Sequence, residues 1–141
     1  MRYIIISMLL LSACAMEIAP EEPADYNKAR RVTVDAWEEV FGDVSQECSA
    51  YAKGFLVVEV DDIKEHEDQH GTVIGRTFLP AKQVHILIDR DTWQKEDTAV
   101  HEYVHILADC ELGDPDGEHM NHRLWSDYGT ETVEAIGCAG L

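Results

Sequence analysis

Basic residues are scarce in this chain, with 11 Lys+Arg against 28 Asp+Glu and a formal charge of −17 at pH 7. Nowhere do Lys and Arg gather into the stripe that releases counterions from a phosphate backbone, which argues against nucleic acid as a partner. There is no CxxC pair, no glycine-rich loop to cradle a phosphate and no GxSxG elbow, so redox-dithiol, nucleotide-binding and serine-hydrolase chemistry all lack their signatures. Internal repeats are absent as well. The acidity bears on solubility and says nothing about fold. What is present is ample apolar content, 45 % of 141 residues, enough for one domain with its own core and too much for general disorder.

Long apolar runs are also lacking after the first residues. Arg2 precedes an apolar stretch from Tyr3 to Leu11 that is too short to span a bilayer as a helix and has the shape of an export signal. It ends in Leu11-Ser12-Ala13-Cys14, which resembles the lipobox of bacterial lipoproteins. The resemblance implies cleavage before Cys14 and lipidation of its thiol, with an ordinary secretory signal cut near Ala15 as the alternative. Residues 1–13 are then a signal peptide, and residues 14–25, acidic and containing two prolines, a tether. The expected location is the membrane surface of the cell envelope, held by the lipid; Ala15 carries no aspartate retention signal, which favours the outer membrane. With Cys14 acylated, Cys48, Cys110 and Cys138 remain, and export permits one disulfide among them. A bridge through Cys110 is the one favoured, because it could anchor the loop that follows.

The domain is expected over residues 26–141. Ala29, Val32, Ala36, Trp37, Val40 and Phe41 recur at helical spacing after a potential Asp25 N-cap, and Gly42 stops the run. Residues 55–61, 72–79 and 83–89 read as strands. In the last, Val84, Ile86 and Ile88 alternate with His85 and Leu87, as in a half-buried strand at a sheet edge. A helix follows within 92–110, then an acidic turn-rich loop at 111–118, and a short helix near 130–136. This order predicts an α+β domain with a small sheet of three or four strands and flanking helices.

His101-Glu102-Tyr103-Val104-His105 is an HExxH sequence. Residues four apart share a helix face, so both imidazoles can reach one zinc ion, while Glu102 lies about 100° around the helix, able to take a proton from zinc-activated water. Composition alone predicts roughly 0.04 such matches per chain, so the bare pattern is only a hypothesis. His66-Glu67-Asp68-Gln69-His70 makes the point by matching the same letters. Its neighbours Glu65, Asp68 and Gly71 read as a solvated loop. Thr98 to Leu107, by contrast, is uncharged outside the motif, as a buried helix requires. The competing reading of His101 and His105 is a core-facing pair on an amphipathic helix.

In these ten residues the chain resembles the zincin metallopeptidases. That resemblance implies a zinc-dependent peptidase with His101 and His105 as ligands, Glu102 as general base, and an edge strand that pairs with an extended peptide substrate; Gln83 to Asp89 is the expected edge. A third ligand is needed. The metzincin pattern calls for Gly at 108 and His at 111, where this chain has Ala108 and Glu111. A gluzincin pattern would draw on Glu131 or Glu134. SprT-like minimal zincins use a histidine after a loop, which points to His119, fourteen residues past His105, with His122 as the alternative. Nothing of the SprT-like relatives' action on DNA-bound proteins is carried over, since this chain is acidic and carries an export signal. Tyr128 is the candidate oxyanion donor, and packing beside Trp125 its other reading. Asp114, Asp116 and Glu118 read as a charged turn rather than a calcium loop. The expected partners are a peptide or protein substrate and, through the lipid, a membrane. The rival class is a non-catalytic envelope lipoprotein that uses the same scaffold for binding, with zinc structural or absent.

Overall fold

The structure, a computed structural model, describes residues 23–63, 67–68, 71–72, 74–115 and 124. Among them the chain is α+β, with three helices and a three-stranded mixed sheet. Helix α1 (Tyr26–Phe41) begins where Asp25 accepts a hydrogen bond from the backbone N–H of Lys28, and ends at Gly42, whose φ of 90° a side chain would resist. Ala29, Thr33, Ala36 and Trp37 turn one stripe of it into the core.

Helix α2 (Gln46–Lys53) has no counterpart in the expected pattern. It is only eight residues long and buries just Cys48 and Ala52, too few apolar positions to show a period. Its local signals are caps: Ser45 accepts from the N–H of Cys48, and Gly54 follows the last turn.

Strand β1 (Leu56–Val60) is followed by a two-residue pair, β2 (Glu67–Asp68) against β3 (Gly71–Thr72), antiparallel. Part of the stretch expected to be loop is therefore paired strand. Strand β4 (Gly75–Phe78) is shorter than the expected 72–79, because the chain turns through a single 3₁₀ turn at Leu79–Ala81 that starts with Pro80 near its head. Strand β5 (Gln83–Leu87) then leads to α3 (Thr92–Leu112), the longest element at 21 residues. Gln94 accepts from the N–H of Asp91 at the head of α3, the reach-back half of a capping box.

The sheet order is β1-β5-β4, with β1 parallel and β4 antiparallel to β5. This corrects the expectation that Gln83 to Asp89 forms an edge: β5 is the middle strand and β4 an outer one. The half-buried pattern of β5 arises from a sheet face rather than a sheet edge. Val84 and Ile86 point to the helices and are fully buried, while His85 points to the opposite face, where it stacks on Phe78 with ring centroids 4.6 Å apart.

Helix α3 runs through the centre. It packs on α1, α2, β4 and β5, and from Thr98 to Ala108 every residue except His101 is buried. Leu124, 1 % exposed, belongs to the same core. At the other end of the helix the Cys48–Cys110 disulfide ties α2 to its last turns. Cys14 and Cys138 lie outside the described residues.

Candidate metal centre on the long helix

His101 and His105 stand one turn apart on α3, their rings 5.0 Å between centroids and steeply inclined at 76°. His101 is half-buried and His105 is 8 % exposed. The orientation of His105 is set from below: its Nδ1 lies 2.7 Å from the carbonyl oxygen of Pro115. A carbonyl only accepts, so Nδ1 carries the proton, and in the neutral ring Nε2 then has the lone pair that can bind a cation. Metal-binding histidines commonly have their second nitrogen tied in this way.

That carbonyl arrives because α3 stops sharply. Gly113 takes a left-handed conformation, φ 73°, and its N–H bonds to Asp109 O while the N–H of Asp114 reaches Ala108 O. The chain is thereby folded back on the helix within two residues. Pro115 thus stands at the His105 imidazole, and Leu124 lies in the core.

Glu102 projects sideways from the histidine pair toward β4. It is 5 % exposed, and its Oε2 accepts a 2.7 Å hydrogen bond from the hydroxyl of Thr77. Burial pushes the carboxyl up to about 7, only partly opposed by the Thr77 hydrogen bonds and the charge of Arg76. A group poised there can both take and return a proton near neutral pH. The close approach of β4 depends on Gly75. A Cβ at that position would collide with the methyl of Thr98 and sit 2.9 Å from Oε1 of Glu102.

Two polar clusters brace the helix away from this face. Glu59 on β1 accepts from Tyr26 at 2.6 Å and from Lys95 at 2.9 Å, and both bonds hold its carboxyl below its usual range. Tyr51 on α2 donates to Asp109, and Ser45 N–H to Glu111, which fix α2 against the C-terminal turns of α3 beside the disulfide.

The structure brings His101, Glu102 and His105 together. His119, His122, Tyr128, Glu131 and Glu134 lie outside the described residues, as do His66 and His70. Among the described residues no three His, Cys, Asp or Glu side chains gather as a metal-binding group. Thr77 and Gly75 are neighbours that sequence reading passes over. Only Gly75 leaves a trace there, since a glycine inside a strand pattern signals close approach of another group. Comparison of the chain with protein-family models, with curated proteins and with solved structures finds no match to any of them.

Proposed function

We propose that the domain is a zinc-dependent peptidase of minimal zincin type, anchored to the cell envelope through Cys14. The observation that carries this reading is the His101–Glu102–His105 arrangement on α3, with the Nδ1 of His105 committed to Pro115 O and Glu102 set to the side, between the helix and β4. Two imidazoles on one helix face, one with its Nδ1 already bonded to a carbonyl, are the donors that suit zinc. Zinc, when bound, supplies Lewis acidity toward water and toward the scissile carbonyl.

His101 and His105 would hold the ion. His119 is the proposed third ligand and His122 its alternative; His119 is four residues beyond Pro115, so its Cα lies within about 14 Å of that of Pro115 whatever path the chain takes. Glu102 takes the proton of the attacking water and passes it to the leaving amine, a cycle for which a carboxyl near neutrality is suited. An extended peptide pairs its main chain with β4, which has no described strand on its outer side. The α3-facing positions of β4 are Gly75 and Thr77, so a peptide laid along this strand passes Glu102. The tether of 14–25 then keeps the domain close to the membrane surface, and no helix among the described residues is long and apolar enough to cross it.

The deciding experiment measures zinc per chain by elemental analysis and hydrolysis of a quenched fluorescent peptide mixture, for the parent protein and for Glu102→Gln. One zinc in each, with hydrolysis only in the parent, is the expected result. Zinc in both with hydrolysis in neither would leave the binding lipoprotein, and a folded chain that takes up no zinc would overturn the metal centre itself.

A further inference from the structure

The geometry points to Thr77 as the residue that positions Glu102 for catalysis, an inference that rests on the peptidase reading above. Three observations converge on it. The Thr77 hydroxyl lies 2.7 Å from Oε2 of Glu102, while the other oxygen, Oε1, lies beneath Gly75, where only the absence of a side chain leaves room. The two carboxylate oxygens are thus treated differently, one bonded and the other merely accommodated. Thr77 is itself held in place by register: it pairs across the sheet with Val84, which is fully buried in the core, so its side chain faces α3.

The residue type is informative at this position. A core-facing site on a strand favours valine, which has the shape of threonine without its oxygen. A threonine there places a hydroxyl on the α3-facing side of the sheet, where it bonds the Glu102 carboxylate, with Glu102 O a further 3.4 Å acceptor. A hydroxyl also differs from a cationic partner. It is uncharged and directional, so it fixes where the side chain lies while favouring the ionised form less strongly than Lys or Arg would. Alternate residues of the same strand, Arg76 and Phe78, face the other side of the sheet, where the guanidinium sits 5.0 Å over the ring. The strand thus offers Glu102 a neutral donor and turns its cation away.

The test compares Thr77→Val with Thr77→Ser in the full chain, by crystal structures of the metal-free proteins and by peptide hydrolysis after zinc loading. Thr77→Val is expected to keep the zinc content and KM of the parent and to lose about 10- to 100-fold in kcat, part of what a well-placed general base contributes. Its structure should show the Glu102 carboxylate displaced from β4. Thr77→Ser should restore both kcat and the carboxylate position. A Thr77→Val protein with parental kcat, or with Glu102 unmoved, overturns the inference. If the parent protein hydrolyses nothing, the peptidase reading fails by itself, and the carboxylate position in the two variants still decides whether Thr77 holds Glu102. Should Thr77→Val fail to fold, Thr77→Ala against Thr77→Ser gives the same comparison.

Discussion

His101–His105 and His66–His70 share one five-letter pattern and have different sequence neighbours. The first lies inside a 21-residue helix whose flanks are buried, so the spacing of four becomes a shared face with rings 5.0 Å apart. Within the second, Glu67 and Asp68 form a two-residue strand paired antiparallel with Gly71 and Thr72, and the histidines themselves lie outside the described residues. Spacing alone therefore carries no geometry. The period of the surrounding element converts it into one, and that period is written in the flanking residues: Thr98, Ala99, Val100, Ile106 and Leu107 on one side of the comparison, Glu65, Asp68 and Gly71 on the other.

The contrast can be broken most directly at the ligands. His101→Ala or His105→Ala should weaken zinc binding by more than the 10- to 100-fold that loss of a supporting hydrogen-bond partner costs. Competition with a chromogenic chelator measures it. The next largest effect concerns the frame of the helix. Replacing Cys48 and Cys110 together with Ala opens a loop closed over a sequence separation of 62 and should lower stability by about 4 kcal/mol, read from urea unfolding.

Glu102 gives a third test with a defined sign. In the metal-free fold its carboxyl titrates near 7, against an ordinary value of 4.5. Below pH 4.5 both folded and unfolded chains hold the proton and no penalty exists. Between 4.5 and 7 the unfolded chain ionises first, so folding stability falls as pH rises, and above 7 the loss is complete. Glu102→Gln removes this dependence. Its stability relative to the parent should therefore increase by about 3 kcal/mol from pH 4 to pH 8, measured by denaturant titration of metal-free protein. The smallest effect sharpens the comparison from the other side: His66→Ala with His70→Ala should leave zinc stoichiometry unchanged and shift stability by less than about 0.5 kcal/mol.

Much of the secondary structure was legible because its signals are local. The periodic stripe of α1, the Asp25 cap and the alternation in β5 each sit within a few residues of the element they specify. The sheet order was not legible, for a physical reason visible at His85. A strand at an edge and a central strand with one partly covered face can both show one buried and one half-buried set of side chains, so the alternation of residues 83–86 fits either. Helix α2 escaped because it is held by a cross-link and by Tyr51 rather than by a stripe of its own. In the candidate site, the histidines and Glu102 belong to one local motif and could be read together. Thr77 lies 25 residues away, and only the packing of β4 on α3 makes it a neighbour.

The outer position of β4 has a consequence for how copies of this protein behave toward one another. Among the described residues no strand pairs with the outer side of β4, and the amide groups of such an edge can pair with any extended chain, including an identical one. Its four residues are few, and Arg76 places a charge on it, both of which blunt self-pairing. The larger safeguard is the acidic surplus of the whole chain, since a net charge of −17 keeps molecules apart at neutral pH. That safeguard fades as the medium approaches the sequence pI of about 4.5. The surplus of acidic residues thus acts as a colloidal barrier, one that lets an open strand edge persist without drawing the protein into aggregates.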